Sequence, residues 1–258
     1  MKKIIVITSG KGGVGKTTTA LNLGAAMHAF GKDVLIIDGN LSTPNLGVHL
    51  GSPEVPINLN HVLSKKADAF EAVYEHDSGL KIMPSSLSIK ELEKIKPEKL
   101  KEFKKDFRKI SDIVLIDCAA GLCSEAKSAI EIADELVVVT NPEMPAITDA
   151  LKTIKLAEQL KKPIKGVVIT RVKKDKIEMQ PDVVKEMLEA PILGMIPEDV
   201  FVSKSLSQKD SVVNSFPKSK SSRAYKEIAA KLVDVDYDSE KDKESIFEKI
   251  SRAFGWKD

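Results

Sequence analysis

The chain has 258 residues, 42% of them apolar, which is enough for one large domain with a sizeable core. Its 40 lysines and arginines nearly balance 38 aspartates and glutamates, so the net charge of +2 excludes a global field that draws a protein onto nucleic acid. Two cysteines, Cys118 and Cys123, exclude a disulfide framework and are expected to be small buried hydrophobes, while His28, His49, His61 and His76 lack metal-ligand spacing.

The N-terminus runs Met1-Lys2-Lys3 into the apolar stretch Ile4–Ile7 and then straight into glycines. This reads as a first buried strand, Lys3–Thr8, rather than a signal peptide. No window approaches the roughly 18 continuous apolar residues of a spanning helix. A cytoplasmic protein is expected, with any membrane contact peripheral, at the inner face of the cell membrane.

Gly10-Lys11-Gly12-Gly13-Val14-Gly15-Lys16-Thr17 follows that strand and fits G-x-x-x-x-G-K-S/T between a strand and a helix expected over Thr17–Phe30. Glycines let backbone N–H groups converge on phosphate oxygens, and the helix N-terminus adds a favourable dipole. Lys16 is expected to reach the terminal phosphates and Thr17 to hold Mg²⁺, with Thr18 completing the nucleotide-binding segment. Lys11 is a second cation inside the loop. KGGVGKT resembles the deviant Walker A loop of the MinD/ParA ATPases, on the MinD side of that family, and Lys11 matches its signature lysine. In that family the lysine reaches phosphates bound by the partner subunit, so the resemblance implies an ATP-sandwich homodimer.

The second strand, Asp33–Ile37, ends in Asp38-Gly39-Asn40-Leu41-Ser42-Thr43-Pro44-Asn45-Leu46, which looks like the family's switch I. The family places an aspartate at the position of Asn40 to orient the attacking water. Asparagine has nearly that shape without the charge and is a very poor proton acceptor. Three readings of Asn40 stay open: a naturally slow ATPase, a substitution that traps the ATP-bound state, or a tolerated variant. Asp38, two residues away, is a partial substitute. Impaired hydrolysis with retained ATP binding is the expectation.

After Leu80–Met83 and a helix over Pro97–Ile110, Asp112–Asp117 is an apolar strand closed by a carboxylate, the form of a Walker B. Asp117 is expected to support Mg²⁺ opposite Thr17. Ala119-Ala120-Gly121 resembles switch II, with Ala119 where the family carries proline. Strands over Leu136–Thr140, Lys165–Thr170 and Ile192–Met195 alternate with helices over Ala146–Leu160, Pro181–Glu189 and Ser222–Val233. The pattern predicts an α/β fold, a P-loop NTPase three-layer sandwich with a mostly parallel sheet of seven or eight strands and helices on both faces.

Thr140-Asn141-Pro142-Glu143 resembles the family's TNPE segment, and Thr170-Arg171 with Ile196-Pro197-Glu198-Asp199 resemble its adenine-pocket elements. The resemblance implies that Asn141 and Arg171 meet the nucleotide and that backbone groups at Pro197, Glu198 and Asp199 read the base. ATP is favoured over GTP, whose N-K-x-D is absent.

After the ATPase domain, residues 1–233, residues 234–243 read as an acidic, mixed-charge linker with little to bury. Residues 244–258 form a short amphipathic pattern with Ile246, Phe247, Ile250 and Phe254 on one helical face and Trp256 at its end. Three readings apply: a helix anchoring the protein on an anionic membrane surface, one docked on its own domain, or one binding a partner. The MinD branch has a membrane-targeting tail at this position. The resemblance implies a membrane-associated spatial switch that recruits or positions a regulatory or cargo protein, in cell division or the localisation of cellular machinery. A ParA-like DNA-partition role is less favoured, because the lysines near Lys99–Lys109 and Lys173–Lys176 are interspersed with acids. An ATP-locked scaffold is the third alternative.

Overall fold

A computed structural model describes residues 2–93, 95–173, 179–239 and 241–242. Its eight strands are β1 (Lys3–Ser9), β2 (Val34–Gly39), β3 (Tyr74–Glu75), β4 (Lys81–Met83), β5 (Ile113–Ala120), β6 (Glu135–Thr140), β7 (Ile164–Val172) and β8 (Ile192–Pro197). They lie in the order β3-β4-β2-β5-β1-β6-β7-β8. Every pairing is parallel except that of the two-residue edge strand β3 with β4. The expected strands all form, most extended by one to three residues, and β3 is the addition.

Alternation along β1 explains the three layers, because successive side chains point to opposite faces. Ile5 and Ile7 join a core with Leu21, Leu23 and Met27 of the helix Lys16–Ala29 and Tyr225, Ile228 and Leu232 of the helix Lys220–Val233. Ile4 and Val6 join an opposite core with Leu100, Phe107, Ala126 and Ile130. A third cluster buries Ile147 and Ile154 of the helix Met144–Gln159 against β7 and against Val184 and Leu188 of the helix Pro181–Leu188.

The expected helix Pro97–Ile110 divides into a 3₁₀ segment, Pro97–Phe103, and an α-helix, Lys104–Ile110. Leu100 and Phe103 are three residues apart, a spacing that eclipses on a 3₁₀ turn, whereas Phe103 and Phe107 pair at 6.3 Å across an α-turn spacing. The helices Ser124–Ile132 and Val200–Ser207 occupy stretches between or after strands for which the sequence pattern sets no helix bounds.

Residues 234–239 and 241–242 are exposed or half-buried, and several of them touch the domain. Val235 N–H donates to Ala230 O (3.0 Å) around a left-handed Asp234, closing the helix C-terminus. The Tyr237 ring lies 5.5 Å from that of Phe30, its hydroxyl donates to Asp242 (2.7 Å), and Lys226 pairs with the same carboxylate (2.7 Å). Ile246, Phe247, Ile250, Phe254 and Trp256 lie outside the described residues. Among the described residues no helix is long and apolar enough to cross a membrane.

Candidate nucleotide site

Parallel pairing brings the carboxyl ends of β1, β2, β5, β6 and β7 to one edge, where open α/β sheets hold their ligands. The loop after β1 is pressed against the helix Met144–Gln159. A Cβ on Gly10 would lie 2.0 Å from the Asp149 carbonyl oxygen, so only glycine fits there. Gly15 has φ of 89° and caps the helix Lys16–Ala29 in the left-handed region glycine favours. Gly12 and Gly13 sit exposed in the turn and Val14 is buried beneath it.

Thr170 fastens the loop from below, a role its tripeptide context in the sequence does not reveal. Its hydroxyl donates to Val14 O (2.6 Å) and approaches Thr140 O (3.2 Å) and Asn141 Oδ1 (3.3 Å). One side chain thus ties the glycine loop to the ends of β6 and β7.

Lys16 and Thr17 are both at least nine-tenths buried at the helix N-terminus. Thr17 Oγ1 donates to Asp117 Oδ2 at 2.5 Å, joining the loop to the end of β5. Asp117 Oδ1 is buried without a hydrogen-bond partner. An orphaned buried carboxylate oxygen costs free energy unless a cation or water completes it. A hydrated Mg²⁺ fits this donor set, with Thr17 and Asp117 as the residues placed to hold it. The ion, when bound, supplies charge neutralisation to a triphosphate.

Asp38 and Asp117 are register neighbours on β2 and β5, both fully buried. Burial raises the pKa of both; the neighbouring Asp117 charge raises Asp38 further, whereas Lys16 and the Thr17 hydrogen bond hold Asp117 back. Asp38 is occupied by its own loop. Its oxygens accept from the backbone N–H groups of Asn40 (3.2 Å), Asn45 (2.9 Å) and Leu46 (2.9 Å). In this arrangement its carboxylate holds switch I in shape, which counts against its expected role as a substitute base.

Asn40 is buried, and its side-chain amide donates to Thr43 O (2.6 Å) and Thr43 Oγ1 (3.0 Å), while Thr43 Oγ1 lies 3.1 Å from Asn40 Oδ1. Two residues on, Ser42 N–H donates to Glu125 Oε2 (3.2 Å) and Ser42 Oγ donates to Glu125 Oε1. Glu125 lies in the first turn of the helix after switch II, and no motif in the sequence singles it out.

The strand β5 runs on to Ala120, and Gly121 N–H donates to Ser9 O (2.9 Å), so switch II is stitched to the strand carrying the glycine loop. Ala119, unlike proline, keeps the N–H a strand needs. Cys118 is buried, which pushes its thiol up to about 12. Cys123 is exposed, a correction to the expectation that both cysteines are buried; it occupies the N-cap of the next helix, on a turn that faces solvent.

A cavity of about 270 Å³ adjoins the loop, lined by Gly15, Thr18, Thr170, Arg171, Ile196, Pro197, Glu198, Asp199 and Tyr225 among others. Arg171 has φ of 56°, a left-handed conformation at a register irregularity between β7 and β8. The Asp199 carboxylate is committed elsewhere. It caps the helix Val200–Ser207 through Phe201 N–H (3.0 Å) and accepts from Ser221 Oγ (2.9 Å), leaving backbone to face the cavity. Glu198 pairs with Lys173 (3.6 Å). Lys11 stands on the open surface, 3.9 Å from Glu143. The residues expected at the nucleotide and the metal therefore lie around one edge of the sheet, with Lys11 at its outer rim.

A parallel sheet, a glycine loop that caps a helix, and a buried Lys-Thr-Asp cluster beneath it define a P-loop NTPase fold. Residues 5–212 match the family described as the CobQ/CobB/MinD/ParA nucleotide binding domain. An uncharacterized ATP-binding protein of Methanocaldococcus jannaschii is 39% identical over 97% of this chain and 96% of its own length. The septum site-determining protein MinD of Pyrococcus horikoshii, solved with Mg-ADP, superposes with a TM-score of 0.86 at 33% identity, over 90% of this chain and 96% of that one. The MinC:MinD cell division complex of Aquifex aeolicus gives 0.82 at 29% identity, over 92% and 97%. The chain belongs to the MinD/ParA family of P-loop ATPases, on its MinD side.

Proposed function

We propose that this protein is a Mg-ATP-dependent molecular switch that dimerises face to face around ATP and, as a dimer, holds a membrane surface through residues 244–258 while recruiting or positioning a partner protein. The observation that carries the nucleotide reading is the Thr17–Asp117 hydrogen bond beside the unpartnered Asp117 Oδ1. Gly10 to Thr18 embrace the phosphates, Lys16 neutralises the terminal ones, and Thr17 and Asp117 hold the metal. Asn141, Arg171 and the backbone of Pro197 to Asp199 receive the base. The Mg-ADP held by the Pyrococcus relative supports both cofactors.

Lys11 is assigned to the second subunit's nucleotide. Its side chain is 46% exposed and its ion pair with Glu143 is long and solvent-screened, so little in that contact opposes its transfer across an interface. Hydrolysis is slow in this reading, because Asn40 contributes shape without a carboxylate and Asp38 is engaged by backbone. The Asn40–Thr43 bonds also favour the alternative of an ATP-locked scaffold, which shares the same site and differs in rate.

Dimerisation explains how a weak anchor becomes a switch. Burying four large apolar side chains contributes roughly 1.5–3 kcal/mol each, largely offset by ordering the tail. Two tails on one dimer raise avidity by roughly 10²–10⁴ through effective concentration. The Aquifex relative solved in complex with MinC supports a protein partner.

Liposome sedimentation with ADP and with ATP, comparing the full chain with one ending before Glu244, tests the proposal. The full chain with ATP is expected to pellet most strongly. Equal pelleting in all four conditions removes the membrane switch.

A further inference from the structure

Switch I and the helix after switch II are joined by a carboxylate that belongs to neither motif. Glu125 is 9% exposed, and both of its oxygens accept from Ser42, one from the N–H and one from the hydroxyl. No ion pair to Glu125 is found among the described residues. A carboxylate buried without a cation is costly to keep unless its hydrogen bonds are satisfied, so two donors from one residue make a specific contact.

The acidic side chains flanking the turn have other contacts, although one Asp117 oxygen stays unpartnered. Asp38 accepts from three backbone N–H groups, Asp117 accepts from Thr17, and position 40 is neutral. The turn from Asn40 to Thr43 closes on itself through the Asn40–Thr43 hydrogen bonds. Asp38 anchors the base of that turn and Glu125 anchors Ser42 within it.

We propose that Glu125 is a positioning residue for ATP hydrolysis, acting through Ser42 to hold the Asn40 turn where it meets the attacking water. The inference rests on the ATPase reading above. Since Asn40 lacks the charge to draw water in, its alignment carries more of the remaining catalysis, and alignment is lost steeply with small displacements. Neither Ser42 nor Glu125 lies in the glycine loop, so loosening the latch slows turnover rather than weakening ATP. Because Ser42 presents two donors, a carboxylate fits better than an amide, and Glu125→Gln retains part of the contact.

The test compares wild type with Glu125→Ala, Glu125→Gln, Ser42→Ala and the double alanine variant. It uses Mg-ATP titration, single-turnover cleavage of γ-phosphate-labelled ATP, and hydrogen exchange of amides 40–46. Each alanine variant is expected to cleave at least about 10-fold more slowly, with ATP affinity within about 3-fold. The double variant is expected to match the slower single one, Glu125→Gln to fall between, and Ser42 to lose exchange protection. Unchanged cleavage, losses that multiply, a parallel loss of ATP affinity, or unchanged exchange overturns the latch. A wild type that binds no ATP sinks the ATPase reading instead, whereas one that binds ATP and never cleaves it sinks the latch, since there is then no step to position.

Discussion

Thr17 Oγ1 and Asp117 Oδ2, one hundred residues apart in the chain, meet at 2.5 Å, and the second oxygen of the same carboxylate is left without a partner. The pair couples the phosphate loop to β5 and leaves one acceptor for a hydrated cation. Asp117→Asn keeps the shape and removes the charge. In nucleotide titrations it is expected to weaken ATP binding at least about 10-fold with Mg²⁺ present and little with EDTA, because the lost term is metal support. Equal weakening in both conditions assigns Asp117 to folding alone.

Asn40→Asp is expected to raise single-turnover cleavage severalfold, within the roughly 10²–10⁴-fold reach of general-base effects, while ATP affinity changes little. The turn opposes part of that gain. An aspartate cannot donate to Thr43 O as the Asn40 amide does at 2.6 Å, and two oxygens would face each other there. Identical rates for the two proteins contradict the assignment of Asn40 to slow hydrolysis.

The strands and the phosphate loop were legible because their signals are local: near-continuous Ile-Val-Leu runs, and glycines at fixed spacing before a helix. The edge strand Tyr74–Glu75 was not, since two residues carry no periodicity and their pairing with Lys81 and Ile82 is tertiary. Thr170 and Glu125 were missed for the same reason. Each acts on residues 156 and 83 positions away in the chain, and nothing beside them marks the contact. Cys123 was misread because its small apolar character does not reveal that its turn faces solvent.

Asp134 gives the stability prediction. It accepts from Ile4 N–H (2.8 Å), Lys104 (2.8 Å) and Arg108 (2.6 Å), fixing the start of β1 to the helix Lys104–Ile110. Burial pushes its carboxyl up, but the hydrogen bonds from Lys104 and Arg108, with the Ile4 N–H, outweigh it and hold the pKa below the ordinary value. A depressed folded pKa means the contribution is complete above about 3.9 and is lost as pH falls through the folded value. Asp134→Ala is expected to cost about 1–3 kcal/mol in denaturant unfolding at neutral pH. The gap from wild type narrows in acid. A gap that stays constant from neutral pH into acid contradicts the ionic account.

ATP, and not ADP, is expected to join two copies of this chain through Lys11. Sedimentation velocity of wild type and Lys11→Ala, each with Mg-ATP and with Mg-ADP, tests it most directly. Wild type with ATP is expected to be a dimer and the other three conditions to give monomers, with Lys11→Ala still binding ATP. A wild type that remains monomeric with saturating ATP, or a Lys11→Ala variant that dimerises equally well, contradicts it.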